Sequence, residues 1–82
     1  MTASLDQLPL RQPAHIAAID WDALSAGEAR RLRELGFDEG VEVEALHHGP
    51  FGLDPIACRI GRMTIALRRA TASAVRIAEE RP

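Results

Sequence analysis

The side chains that could carry chemistry in this chain are one cysteine, three histidines and a set of carboxylates. A thiolate nucleophile would require Cys58 to be activated by a base, for which the candidates are His15, His47 and His48. A metal site would draw on a second set of side chains: His47, His48, Asp54 and Cys58. Segment 47–55 leads back toward the strand that carries Cys58, as such a metal site requires.

The pattern around these residues favours structural roles. Cys58 alternates with Ile56 and Ile60, so we expect its thiol to point into the core and to be unreactive. His47 and His48 are adjacent at a strand end and should point to opposite sides. The sequence has neither a C-x-x-C nor an H-x-x-H spacing, which are typical of metal ligands. We therefore predict no catalytic residues and no bound cofactor, and keep ferrous iron or zinc at the four candidate ligands as the alternative.

The neighbouring carboxylates of Glu42 and Glu44 do not indicate acid–base catalysis. They alternate with Val41 and Val43, which places both on the solvent face of a half-buried strand. No apolar pocket is evident beside them, although paired catalytic carboxylates need one. The sequence therefore predicts a protein that is not an enzyme.

Length and composition place this chain among small globular domains. Its 82 residues are 46% hydrophobic and 27% charged, which leaves room for one core. The net charge of −2 gives little attraction for polyanions, so we expect no nucleic-acid partner. The single cysteine fits a reducing compartment, and no apolar run approaches the roughly 20 residues of a membrane span. We predict one domain over 1–82, with its core over 14–79, an irregular lead-in over 1–13 and a tail over 80–82.

The first elements that would position these side chains are a strand and a helix. The run from Ala14 to Asp20 is short and apolar and predicts the strand. Ser25 and Glu28 have the S-x-x-E spacing of a capping box, which marks a helix start. Gly36 follows the last apolar position and predicts the helix end.

Beyond the helix, apolar residues recur at every second position, as in strands. In chain order, the sequence predicts a strand over 41–44, a loop over 47–55, a hairpin of 56–60 and 63–67 that turns at Gly61-Arg62, a helical turn over 70–74 and a strand over 75–77. One helix and about five short antiparallel strands predict a mainly β fold that closes into a small, bent barrel.

Five segments of the sequence together resemble the FeoA family. They are Arg31-Leu32-Arg33-Glu34-Leu35-Gly36-Phe37, Gly40-Val41-Glu42-Val43-Glu44, Gly49-Pro50-Phe51-Gly52-Leu53-Asp54-Pro55-Ile56, Ile65-Ala66-Leu67-Arg68-Arg69 and Ala74-Val75-Arg76-Ile77. Their order and spacing follow the family from Ile16 to Ile77. The family usually has a glycine in the turn before the first strand, where this chain has Gln12-Pro13, so we expect that turn to differ.

The resemblance implies a small SH3-like β-barrel without catalytic residues of its own. It also implies a cytoplasmic accessory protein of ferrous iron uptake, which binds the GTPase-bearing FeoB permease and modulates its assembly or activity. Such a protein would lie at the inner face of the cell membrane through its partner, without inserting, and could form homo-oligomers. The alternative is a metal-responsive regulatory module, because a similar barrel forms the C-terminal part of iron-dependent repressors.

The candidate partner-binding residues are two apolar side chains and five arginines: Phe51, Leu53, Arg30, Arg31, Arg33, Arg68 and Arg69. An exposed apolar side chain among arginines is typical of a small interface hot spot. Two alternatives stay open from the sequence. Phe51 and Leu53 would fill the mouth of the barrel, and the arginines would be solvated or paired with acids, as Arg31 with Glu28.

Overall fold

The protein folds into short antiparallel strands with one helix of about three turns. The computed structural model describes residues 3–51 and 54–78, with the backbone alone at Phe51. The elements are β1 (Ala3–Ser4), a 3-10 turn (Leu5–Gln7), β2 (Ala14–Ile19), a 3-10 turn (Trp21–Ala23), α1 (Ala26–Leu35), β3 (Glu42–Phe51), β4 (Asp54–Ile60), β5 (Met63–Leu67), α2 (Arg69–Ala72) and β6 (Val75–Ile77). The prediction of a mainly β fold with one short helix is confirmed.

All neighbouring strands of the sheet are antiparallel, in the order β1-β6-β2-β3-β4-β5. β2 belongs to both halves of the sheet, because its first two residues pair with β3 and the rest with β6. A bulge between Ile16 and Ala18 in the pairing with β6 bends the strand. The sheet therefore curves around its buried face. The described ranges contain six strands where the sequence predicts about five, and the additional strand is β1.

One cluster of mainly aliphatic side chains forms the core. Its members are Leu5, Ala14, Ile16, Ile19, Leu32, Phe37, Val43, Ala45, Ile56, Cys58, Ile60, Leu67, Ala72, Val75 and Ile77. These residues come from both helices and from every strand except β1, so the core connects nearly all of the elements. No helix in the described part of the chain is long and apolar enough to cross a membrane.

The segment before β2 is more regular and more buried than the expected irregular lead-in. β1 pairs with β6, and a 3-10 turn follows it. Leu5, which begins that turn, is completely buried, whereas Leu10 keeps 41% of its surface exposed. A strand of two residues is too short to show an alternating pattern, which is why local sequence does not predict it.

The predicted limits of the helix are confirmed. The amide of Glu28 donates to Ser25 Oγ at 3.1 Å, and the amide of Ser25 donates to Glu28 Oε1 at 3.0 Å. At the other end, Gly36 has a left-handed φ of +94°, which ends the helix without a Cβ clash. The amide of Phe37 then donates to the Leu32 carbonyl at 3.0 Å, and the Phe37 side chain is buried. The helix is thereby tied to the core at its C-terminus.

Segment 47–55, predicted as a loop, is the far end of a long hairpin. β3 continues to Phe51 and β4 begins at Asp54, with two register shifts along the pair. Gly49 lies where the two strands approach closely, since an added Cβ would be 2.5 Å from the Asp54 carbonyl oxygen and 2.7 Å from Pro55 Cδ. The prolines suggested a loop, but strand ends and bulges tolerate a residue without an N–H group.

The second hairpin is confirmed. Ile60 pairs with Met63 across the two-residue turn Gly61-Arg62. Cys58 and Ile60 on β4 are buried, as predicted. On β5, Leu67 is buried, whereas Met63, which lies on the same face of the strand, is 44% exposed. The start of β5 therefore extends beyond the core. The helical turn and last strand predicted after this hairpin are confirmed as α2 and β6.

Glu44 does not lie on a solvent face, contrary to the prediction. It is 7% exposed and forms a salt bridge with Arg59, its cross-strand neighbour on β4. The segment before β2 reaches this part of β3, where the Arg11 amide donates to the Ala45 carbonyl at 2.7 Å. The partner of Glu44 comes from another strand, and a two-residue alternation along β3 cannot reveal it.

Candidate partner-binding site

The candidate metal ligands do not form a cluster. His47 is exposed and His48 is half-buried. Asp54 accepts a hydrogen bond at Oδ1 from the Arg69 amide, at 2.9 Å, where α2 begins. Cys58 is completely buried. Within the described residues, no three His, Cys, Asp or Glu side chains come close enough to hold a metal ion.

Cys58 is a core residue with an un-ionised thiol. Its cross-strand neighbours are Ala45 on β3 and Ile65 on β5. Burial raises the pKa of the thiol from 9.0 to about 11. Because the thiolate is the nucleophilic form, this side chain is unreactive at neutral pH. The predicted burial of Cys58 is confirmed.

One ring nitrogen of His48 is a feature that the sequence does not predict. Its Nε2 atom is buried and has no hydrogen-bond partner among the described residues. Most buried polar atoms in proteins do have such a partner. His48 lies opposite Ile56 on β4, a neighbour that strand pairing supplies.

Two of the predicted arginines meet in a cleft of about 130 Å³ between α1, the end of β5 and α2. We call it the helix–strand cleft, and its lining residues are Glu28, Arg31, Leu32, Leu67, Arg68 and Thr71. Leu32 and Leu67 are buried, whereas Arg31 and Arg68 are exposed. Arg31 Nη2 donates to the carbonyl of Ala66 on β5 at 3.5 Å. The cleft therefore combines an apolar part with two cationic side chains.

Glu28 joins α1 to α2 within the helix–strand cleft. Besides capping α1, its carboxylate accepts a hydrogen bond at Oε2 from the Thr71 hydroxyl, at 2.6 Å. The Thr71 hydrogen bond, the bonds with Ser25 and the charge of Arg68 lower the pKa of Glu28 below its ordinary 4.5. Glu28 is therefore ionised at neutral pH. The sequence suggested that it pairs with Arg31, but its hydrogen bonds are with Ser25 and Thr71.

Arg33 belongs to a different surface. Its guanidinium carbon lies 4.4 Å from the centroid of the Trp21 ring, in a cation–π contact. Beside it is a cleft of about 500 Å³ lined by Trp21, Arg33, Gly36, Phe37, Asp38 and Val41. Sequence reasoning did not include Trp21 among the site residues, because 12 positions separate it from Arg33.

The predicted partner-binding set is therefore divided over the surface. Arg30 is exposed on α1. Arg69 is exposed too, and its Nε lies 3.8 Å from Asp6 Oδ2. The Phe51 side chain and Leu53 lie outside the described residues, so their role stays a prediction.

The fold and the surface place this protein in the class of small antiparallel β-barrel domains, here with arginines lining clefts on the outside. A family model of the FeoA domain matches residues 3–79, and the chain belongs to this family. FeoA proteins are linked to ferrous iron transport. A search of curated proteins by sequence finds no significant match.

Solved structures with the same fold include two FeoA proteins and a repressor. FeoA of Stenotrophomonas maltophilia, an SH3 domain protein crystallised with zinc, is 39% identical, with a TM-score of 0.76 over 95% of this chain and 89% of that one. Iron(II) transport protein A of Clostridium thermocellum is 32% identical, with a TM-score of 0.78 over 90% of this chain and 43% of that one. A manganese-dependent transcriptional repressor is 19% identical, with a TM-score of 0.81 over 96% of this chain and 42% of that one. The predicted SH3-like barrel is confirmed.

Proposed function

We propose that this protein is a non-catalytic accessory protein of ferrous iron uptake that binds the cytosolic, GTPase-bearing part of a FeoB permease. By this contact it modulates the assembly or activity of the permease at the inner face of the membrane. Membership of the FeoA family over residues 3–79 carries the proposal. A role as an activating factor of ferrous iron transport has been suggested for FeoA of S. maltophilia.

The distribution of arginines supports a contact function. Arg30, Arg31, Arg33, Arg68 and Arg69 are all exposed, although the net charge of the chain is −2. Arginine is among the residue types enriched at interface hot spots. The candidate binding residues on α1 and α2 therefore present cationic groups to a partner. The chemistry of this proposal requires no bound cofactor.

An NMR titration tests the proposal. The ¹⁵N-labelled protein is titrated with the purified cytosolic part of the FeoB permease from the same source, while GTP hydrolysis is followed in parallel. We expect shifted amide signals on α1, β5 and α2, and a changed rate of hydrolysis or a changed oligomeric state of the permease. An unchanged spectrum at saturating permease contradicts the proposal.

A metal-responsive regulatory module is the second candidate, favoured by the buried Nε2 of His48 that has no partner in the described part of the chain. The protein is titrated with Zn²⁺, and with Fe²⁺ without oxygen, and the same spectra are recorded. Shifts centred on His47, His48 and Asp54, lost in a His48→Gln variant, favour this function. Uniform or absent shifts at one equivalent of metal contradict it.

A further inference from the structure

We propose that the outer edge of β5 binds an extended, acidic segment of a protein partner as an added strand. This inference rests on the proposed function, since it assigns the surface through which the protein contacts its partner. This surface consists of the unpaired side of β5, the arginines around that strand and the helix–strand cleft beside it.

β5 is the last strand in the sheet order and pairs with β4 alone. The two-residue turn sets its register: Ile60 and Met63 flank the turn and exchange hydrogen bonds, so alternate residues of β5 face away from β4. The backbone N–H and C=O groups of Thr64 and Ala66 therefore point outward, and both residues are exposed. An edge of this kind is a template for pairing with another chain.

Arginines surround this edge. Arg62 lies in the turn before β5, Arg68 follows its last residue, and Arg31 reaches over it from α1. Glu28 supplies the carboxylate in the helix–strand cleft, and this carboxylate already accepts hydrogen bonds from the Ser25 amide and the Thr71 hydroxyl. Three exposed cations along five strand residues make this edge positive in a chain of net charge −2. Charge complementarity therefore selects an acidic segment.

An added strand could bind both groups of the contact between Arg31 and Ala66, namely the guanidinium and the backbone carbonyl. At 3.5 Å, the hydrogen bond from Arg31 to the Ala66 carbonyl is long and weak. The N–H group of an added strand can replace it at ordinary length, as in other cases of strand addition. Arg31 is then free to bind a carboxylate of the same segment, so an acidic strand gains two interactions at this position.

Variants of the edge test the inference in the titration with the FeoB fragment. Thr64→Pro removes an outward N–H group, and its control Thr64→Val keeps the backbone. Arg31→Glu reverses a charge at the edge, and its control Arg76→Glu makes the same change at an exposed position of β6, which pairs on both sides. We expect Thr64→Pro and Arg31→Glu each to raise Kd by about tenfold or more, and the controls by less than about twofold.

Thermal unfolding and amide spectra establish that each variant is folded. If folded Thr64→Pro and Arg31→Glu bind the FeoB fragment with the affinity of the wild type, the inference is overturned. The proposed function is then left intact, because the FeoB fragment still binds. Pairing of two copies through β5 in the wild type, detected by size-exclusion chromatography with light scattering, also overturns it.

A synthetic peptide separates the inference from the proposed function. If the FeoB fragment does not bind the wild-type protein, the proposed function fails. An end-blocked peptide of alternating Glu and Val is then compared with its Lys and Val counterpart. Shifts at Thr64 and Ala66 with the acidic peptide alone support the inference. Equal shifts with both peptides, or none with either, overturn it.

Discussion

Glu28 is a residue that couples the stability of this fold to pH. Its pKa is lowered in the folded state, chiefly by the Thr71 hydroxyl, so its ionised form stabilises the protein. That contribution is present above the ordinary pKa of a glutamate and is lost as pH falls through the lowered value. Thr71→Val should therefore raise the pKa of Glu28 and lower the free energy of unfolding at pH 7, with the difference from wild type disappearing in strong acid.

Carboxyl ¹³C shifts followed against pH give the pKa of Glu28, and urea unfolding at several pH values gives the stability. Ser73→Ala serves as the control, because it removes a hydroxyl that donates only to the neighbouring Ala70 carbonyl. We expect it to leave the pKa of Glu28 unchanged. An equal stability loss for Thr71→Val at pH 7 and in strong acid contradicts the assignment.

Single-residue contacts were predictable where both partners are close in sequence. The bonds between Ser25 and Glu28 follow from their spacing, and the burial of Cys58 follows from its alternation with isoleucines. Thr71 lies 43 positions from Glu28, so only the folded chain brings the two together. The salt bridge of Glu44 likewise depends on Arg59, which strand pairing places opposite it.

In the β3–β4 hairpin, Gly49 lies where the two strands approach too closely for a Cβ. Gly49→Ala would place a methyl group 2.5 Å from the Asp54 carbonyl oxygen, a backbone atom that cannot move without shifting the strand. We expect the free energy of unfolding to fall by about 1–3 kcal/mol. Chemical denaturation measures the loss, and amide spectra should show the largest shifts at the far end of β3 and the start of β4.

Gly27→Ala is the matched control for Gly49→Ala. A Cβ at Gly27 in α1 would meet no atom within 4 Å. Alanine has the higher helix propensity, so this change should stabilise the protein by about 0.5–1 kcal/mol. Opposite signs for the two variants support the close approach at Gly49. Equal stabilisation by both substitutions contradicts it.

Elements were predictable where a local signal marks both ends. A cap, a left-handed glycine and a two-residue turn define α1 and the β4–β5 hairpin. The end of the β3–β4 hairpin has opposing signals, since glycine and proline indicate a loop while pairing across the sheet extends the strands. Long-range hydrogen bonding prevails there over local preference.

For the whole molecule, the segment before β2 is part of the fold. Leu5 is completely buried in the core, so Leu5→Ala should lower the free energy of unfolding by about 2–5 kcal/mol. A small domain has about 3–5 kcal/mol of net stability from its core, and this loss would unfold much of the population. Circular dichroism with thermal and urea unfolding provides the measurement.

Leu10→Ala removes the same atoms at a position that is 41% exposed, and it should change the stability by less than about 1 kcal/mol. Similar stability for the two variants contradicts the role of Leu5. The family resemblance predicted the overall barrel, but it began at Ile16 and did not extend to β1. The pair of β1 and β6 at one end of the sheet is therefore known from the structure alone.

Cys58 and Met63 differ completely in exposure, at 0% and 44%. Ferrous iron reacts with dioxygen to give peroxide, which oxidises thiolates and accessible thioethers. The buried, un-ionised thiol of Cys58 is protected from this reaction. Met63 accepts oxygen as a sulfoxide, which cellular reductases reverse. Of these two sulfur-bearing side chains, the exposed Met63 is therefore the one accessible to peroxide, and its oxidation is the reversible one.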